Sequence, residues 1–274
     1  ELAYHETLAQ EQLCGLLEKH GFKVLRGAGS LETAFVSEYR SGKPGMTFAF
    51  MCEYDALPEF GHACGHNLIG TSGAGAGVIL KEIMEKYGIG GTLKVLGTPA
   101  EENGSGKITM LDEGIFDGVD MALIMHPSDM SMADDISFAA VNKTYTFTGK
   151  PAHTAACPWM GASALNGVLQ MFHAVDSQRL HFKDYTRVHG IIVEGGTVVN
   201  IVPERAFCRF NIRALDAEYL KDVISVIDQC AKGAAICAGV DVEIQQNGYL
   251  IKDVRNNREL VTAVEKNMDF IGEH

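Results

Sequence analysis

The stretch Cys52-Glu53-Tyr54-Asp55-Ala56-Leu57-Pro58-Glu59-Phe60-Gly61-His62-Ala63-Cys64-Gly65-His66-Asn67 lies between an apolar, strand-like run at residues 46–51 and a glycine-rich helix start at 70–77. Strand, acidic loop, helix is one step of an α/β layer. The loop packs three acids, two histidines and the Cys64 thiol into a few residues. A connection with a purely structural task does not need so many groups able to bind a metal.

On the N-terminal side, residues 4–20 carry Leu8, Leu13, Leu16 and Leu17 at helical spacing, and Gly21 follows as a stop. A short strand starts at Phe22. Residues 33–39 and 46–51 flank Ser41-Gly42-Lys43-Pro44-Gly45 and predict a hairpin-like pair. On the C-terminal side, 70–86 reads as a helix broken by Gly90-Gly91. A strand at 92–96, a helix at 105–114 and a strand at 121–125 follow, the last ending in His126-Pro127. Strands and helices alternate, and the polar residues fall just after strand ends, where open α/β sheets place their sites. Gly73, Gly75 and Gly77 do not make a dinucleotide fingerprint, because position 78 is Val, and there is no Gly-Lys-Ser/Thr. They read instead as small residues that let the helix approach the sheet. No Gly-x-Ser-x-Gly elbow is present.

The pattern changes near residue 137. A long strand at 137–148, a helix at 161–177, strands at 188–194 and 201–214, a helix at 216–238 and a strand at 240–246 give the order β-α-β-β-α-β, the signature of a ferredoxin-like sandwich. The expectation is an α/β catalytic sandwich, residues 1–136 and 249–274, interrupted by this unit at 137–248. A last helix covers 257–271.

The chain has 274 residues and a net charge of −12. That charge argues against nucleic acid and anionic membranes as partners. No apolar run approaches the roughly 18–20 residues of a membrane span, and no signal peptide is visible at the start. Seven cysteines at irregular spacing do not form a disulfide framework, so a reducing cytoplasm is the expected compartment. Cys14, Cys52, Cys208, Cys230 and Cys237 sit in apolar surroundings and read as core.

Four residues at or beyond strand ends share a chemistry. Cys64 and His66, two apart in a glycine-flanked loop, offer thiolate and imidazole to zinc or manganese. Glu101-Glu102 follows a strand; two buried adjacent carboxylates need a cation or a proton, and their neighbouring side chains point different ways. One binds metal while the other holds a water, the arrangement of a general base beside a metal site. His126, fixed by Pro127, completes the set Cys64, His66, Glu102 and His126.

Glu53–Glu59, His62-Ala-Cys-Gly-His-Asn67, Pro99-Ala-Glu-Glu102, Met125-His-Pro127 and Gly149-Lys-Pro-Ala-His-Thr-Ala155, in that order, resemble the dinuclear-metal amidohydrolases of peptidase family M20. The first two motifs look closest to the aminobenzoyl-glutamate hydrolase and β-alanyl-lysine dipeptidase branch; Arg187-Val-His-Gly-Ile-Ile and Asn200-Ile-Val-Pro resemble its lid segments. The resemblance implies two divalent metals per site, zinc or manganese, held by Cys64, His66, Glu102 and His126. It makes Cys64 the bridging or ligating thiolate, Glu101 the general base and Asp55 an orienting group behind a ligand. His153 would stabilise the oxyanion, Asn200 and Arg213 would hold the substrate, and the 137–248 unit would act as lid and homodimer contact. It also implies a last histidine ligand beyond His274, so the chain is expected to be a fragment, with His274 itself in the wrong context to serve.

The expected activity is hydrolysis of the amide bond of small N-acyl amino acids or dipeptides by a metal-activated water, with Glu101 as base. The rival from another class is a catalytically inert binding or assembly protein that dimerises through the lid.

Overall fold

The strand that leads into the acidic loop, β3 (Thr47–Cys52), is an inner strand of a five-stranded sheet. In the computed structural model, which describes residues 1–273, this sheet belongs to the first of two compact units, Glu1–Met130 and Ser131–His274. His274 itself lies outside the described residues.

The first sheet also contains β1 (Lys23–Arg26), β2 (Phe35–Arg40), β4 (Thr92–Gly97) and β5 (Met121–Leu123), in the order β1-β2-β4-β3-β5. β4, β3 and β5 are mutually parallel, whereas β2 is antiparallel to β1 and to β4. The expected hairpin of β2 and β3 is therefore corrected: β4 lies between them. The cause is visible in the glycines. The 41–46 connection crosses the start of β4, where Gly91 N–H donates to Lys43 O (3.1 Å) and Thr92 N–H to Met46 O (3.0 Å). A Cβ on Gly90 would come 2.1 Å from Pro44 O, and one on Gly45 2.4 Å from Gly90 O. The two glycine turns interlock, which leaves room for a strand where a tight hairpin would leave none.

Helices α1 (Thr7–Lys19) and α2 (His66–Tyr87) pack on one face of this sheet. α1 buries Gln10, Cys14 and Leu17; Leu8 and Leu16, expected on the inner stripe, are exposed. Gln10 earns its burial through Nε2, which donates to Glu32 O and Ala34 O, both at 2.9 Å. α2 lies close to the sheet at Gly70, Gly73 and Gly77, where a Cβ would meet Glu53 O at 2.9 Å, Cys52 Sγ at 2.6 Å and Val95 Cγ2 at 2.4 Å. Gly75 faces open space and takes no part. The helix expected at 105–114 is α4 (Gly106–Asp112); a short helix not expected, α3 (Glu101–Gly104), precedes it, and Ser105, whose φ is +55°, separates the two.

In the second unit β6 (Ala139–Thr148), α5 (Ala164–Gln178), β7 (Arg187–Glu194), β8 (Arg205–Ala214), α6 (Ala217–Ala238) and β9 (Asp241–Ile251) follow the expected β-α-β-β-α-β order. The sheet runs β7-β8-β6-β9, all antiparallel, the ferredoxin-like arrangement. β8 starts later than expected because Pro203 has no N–H to offer a ladder. Tyr145, Phe147, Phe210, Val168, Leu220 and Ile227 centre the core between the sheet and α5 and α6. Within it, Lys143 Nζ and Tyr145 Oη both donate to Asp228, at 2.6 and 2.8 Å, so the buried amine is neutralised. Cys14, Cys52 and Cys208 are buried as expected; Cys230 is half-buried and Cys237, near the end of α6, is exposed. α7 (Arg258–Ile271) is capped by Asn257, whose side chain accepts from the Glu259 and Leu260 N–H groups.

Candidate metal centre

The carboxyl ends of the three parallel strands deliver the candidate residues. β3 runs into Glu53, Asp55 and the Cys64–His66 loop, β4 into Glu101 and Glu102, and β5 into His126. Extended backbone after β3 alternates its side chains. Tyr54 therefore turns away into the core, where it stacks on Phe35 with ring centroids 6.0 Å apart and donates to Thr33 O at 2.7 Å. Glu53 and Asp55 turn the other way, toward His66.

His66 opens α2 and is fully buried. Its Nδ1 lies 3.0 Å from Asp55 Oδ1, while Asp55 Oδ2 accepts the Glu102 N–H at 3.0 Å. Asp55 thus holds both the His66 ring and the backbone of Glu102. Nε2 of His66 faces Glu53 Oε2 at 3.4 Å, Glu102 Oε1 at 3.7 Å and Glu101 Oε2 at 4.0 Å. On the other side, Cys64 Sγ is 3.4 Å from His126 Nε2, and the His126 and His66 rings meet edge to face at 6.0 Å. His126 Nδ1 donates to Pro127 O at 2.9 Å, which leaves Nε2 as the free lone pair. Ligand atoms of Cys64, His66 and His126 form one group within 4.8 Å of one another, and those of His66, Glu101 and Glu102 form a second that shares His66.

Gly65 makes this approach possible. Its φ is +81°, and a Cβ there would lie 2.8 Å from Pro127 Cγ. The glycine between the two loop donors is what lets the loop seat against His126-Pro127.

The electrostatics fit a cation. Among the described residues, four buried side-chain polar atoms lack a hydrogen-bond partner, and three of them, Glu53 Oε2, His66 Nε2 and Glu102 Oε1, converge here. Buried polar atoms are ordinarily paired, so the convergence marks where a positive charge belongs. Burial, with Glu102 and the neighbouring carboxylates, pushes the Cys64 thiol up to about 11. Burial likewise raises the Glu101 carboxyl, Lys107 opposing and Glu53 and Glu102 adding to the rise. The mixed sulfur, nitrogen and oxygen donors suit a divalent metal ion.

Two contributors are not evident from the sequence. Glu53 is nearly buried and salt-bridged through Oε1 to Lys107. Glu6, at the start of α1, is completely buried. Its Oε1 accepts the Ala100 N–H at 2.9 Å and its Oε2 the Thr33 hydroxyl at 2.8 Å. Ala100 adopts φ +57°, an unusual conformation for a residue with a Cβ, immediately before Glu101. Glu59 and His62 are exposed and stand apart from the metal-ligand groups.

In the second unit, His153 bridges to Ile201 and Thr154 N–H donates to Asn200 O at 3.0 Å, so the His153 and Asn200 segments lie side by side, both exposed. Arg213 is exposed on β8, paired across the sheet with Arg187 of β7, and its Nε donates to Asn211 Oδ1 at 2.8 Å.

Residues 138–236 match the peptidase dimerisation domain family. The chain is 34% identical over 288 residues to a Xaa-Arg dipeptidase of Mus musculus, covering 100% of this chain and 67% of that protein. It is 35% identical over 262 residues to a p-aminobenzoyl-glutamate hydrolase of Escherichia coli, covering 89% of this chain and 54% of that one. It therefore spans about two thirds of the first relative and about half of the second. The fold superposes on a dinuclear metal binding peptidase of the M20 family from Bacillus subtilis, with a TM-score of 0.75, 21% identity and coverage of 100% and 76% of the two chains. The chain belongs to the M20 peptidase family, a family of hydrolytic enzymes, as its motifs led us to expect.

Proposed function

We propose that the protein is a metal-dependent hydrolase that cleaves the amide bond of small N-acyl amino acids or dipeptides. The observation that carries this is the pair His66 Nε2 and Glu102 Oε1, buried, unpartnered and 3.7 Å apart beside Cys64 and His126. The relatives named as a dipeptidase and an aminobenzoyl-glutamate hydrolase supply the substrate class.

Cys64, His66, Glu102 and His126 would hold two divalent ions, zinc or manganese. Bound there, such ions polarise a carbonyl and acidify a water. Glu101 sits at the rim with its side chain 38% exposed, close enough to His66 to face the same point yet open to solvent. Its raised pKa makes it a stronger proton acceptor than an ordinary carboxylate. It takes the proton of the attacking water and hands it to the leaving amine. Asp55 fixes the His66 ring so that Nε2 faces the centre. We assign His153 to the oxyanion and Asn200 and Arg213 to substrate binding. We assign 1–136 with 249–274 to the catalytic domain and 137–248 to the lid and homodimer contact; the dimerisation-domain match supports the last assignment. No helix among the described residues is long and apolar enough to cross a membrane. We place the protein in the cytoplasm, a compartment that suits seven free thiols.

The test is turnover of p-aminobenzoyl-glutamate, Xaa-Arg dipeptides and β-alanyl dipeptides before and after EDTA, with zinc or manganese restored. Loss and recovery of activity are expected, and Glu101→Gln should lower kcat by about 10²–10⁴. Full activity after EDTA would overturn metal dependence, and an active Glu101→Gln would overturn the assigned base.

A further inference from the structure

Glu53 is the most buried charged group at the centre with no assigned task. It is 4% exposed at the end of β3. One oxygen, Oε1, is taken by Lys107 Nζ. The other, Oε2, has no hydrogen-bond partner and lies 3.4 Å from His66 Nε2. With Asp55, which also accepts the Glu102 N–H, placed against Nδ1, the loaded site has the His66 proton on Nδ1 and a lone pair at Nε2. A lone pair facing a carboxylate oxygen repels it. Glu102 Oε1 is the third unpartnered atom aimed at this point. With His66 neutral, as a metal ligand must be, three electron-rich, buried atoms converge on one spot, and one cation satisfies all three.

We propose that Glu53 is a further metal ligand, donating Oε2 to the ion held by His66 and Glu102, and that Lys107 is the positioning residue that fixes it. Lys107 occupies Oε1, so Glu53 binds through one oxygen in a set direction. The same ammonium offsets part of the negative charge that Glu53, Glu101 and Glu102 bring to one place. The helix approach at Gly70 supports the geometry: a Cβ there would come 2.9 Å from Glu53 O, so the backbone of Glu53 is held against α2, the helix that starts with His66. The proposal rests on the metal-centre reading above and adds a donor to it.

The experiment uses the full chain, stripped with EDTA and titrated with zinc against a chromophoric chelator, with cobalt(II) loading as a spectroscopic check. The wild-type chain and a surface control, Glu18→Gln, should bind zinc equally. Glu53→Gln should weaken zinc binding at least tenfold and shift the cobalt ligand-field bands. Lys107→Met should weaken binding several-fold with a smaller band shift, because the donor stays but loses its anchor. Should Glu53→Gln not fold, Glu53→Asp, which keeps the charge but shortens the reach, and Lys107→Met give the same reading through affinity and bands. Zinc affinity and cobalt bands unchanged from wild type in the folded variants would overturn the Glu53 assignment while leaving the metal centre standing. Absence of zinc uptake by the wild-type chain would instead overturn the metal centre, and the Glu53 assignment with it.

Discussion

Asp55 and His66 form a buried pair whose two pKa values move apart. Burial alone would raise Asp55, but hydrogen bonds from His66 and from the Glu102 and Glu101 N–H groups hold it below its ordinary 3.8. Burial works against charge on His66 too, yet Asp55, Glu53 and Glu102 lift it above 6.5. In metal-free protein the depressed acid stabilises the fold above 3.8, and that gain is lost as pH falls through its lowered value. The raised base stabilises it below 6.5, and that gain is lost as pH rises through its raised value. Both contributions are complete only between those limits. EDTA-treated wild type should exceed Asp55→Asn by about 3 kcal/mol in that window, with the gap closing on both sides. A gap that stays flat from acid to alkaline pH in urea melts would refute the pair. Gly65 makes a second test at this scale. With φ +81° and Pro127 Cγ 2.8 Å from a Cβ, Gly65→Ala should cost about 1–2 kcal/mol and loosen zinc binding, readable by thermal melts and chelator competition. The candidate donors were legible from residue type and spacing: Cys64 two residues from His66, Glu101 beside Glu102, and His126 before Pro127. Glu53 was not, since one of several acids in a loop looks like solvated scaffold until its burial and its lysine are seen.

Whole elements carry the loop that presents Glu101 and Glu102. Its two anchors come from distant sequence: Asp55 holds the Glu102 N–H, and Glu6 at the start of α1 holds the Ala100 N–H. Glu6→Gln keeps the size of the side chain but weakens a fully buried, charge-assisted bond. It should cost about 1.5–3 kcal/mol in stability and lower kcat more than it raises KM, because Glu101, the proposed base, is misplaced while substrate contacts remain. An unchanged kcat would show that the loop holds its shape without α1. Nothing local in the sequence pairs residue 6 with residue 100, so this anchor could not be read there. Helix positions were legible from period, whereas their ends were set by backbone chemistry: α2 begins four residues earlier than the glycine-rich pattern, at His66, and Ser105 splits α3 from α4. The second unit was read well in order, helped by the clear alternation of β6 and β8; its bounds differ where Pro203 denies β8 a ladder bond and where β9 runs on past 246 to Ile251.

At the scale of the molecule, two compact units with separate cores predict two unfolding events. Every candidate metal donor lies in residues 1–130. Calorimetry should therefore show one transition that zinc moves upward and another that it leaves in place; a uniform shift of both would count against the placement of the centre. The strand order β1-β2-β4-β3-β5 also governs how the chain reaches its native state. β2 and β3 emerge from the ribosome consecutively, yet neither is the other's neighbour. Each waits with an open edge until all of α2 and β4 have been synthesised and the later strand slides in between. A nascent chain halted before Gly97 has no native arrangement for these edges. Translation pauses before that point should raise misfolding and chaperone demand, whereas pauses after it should not.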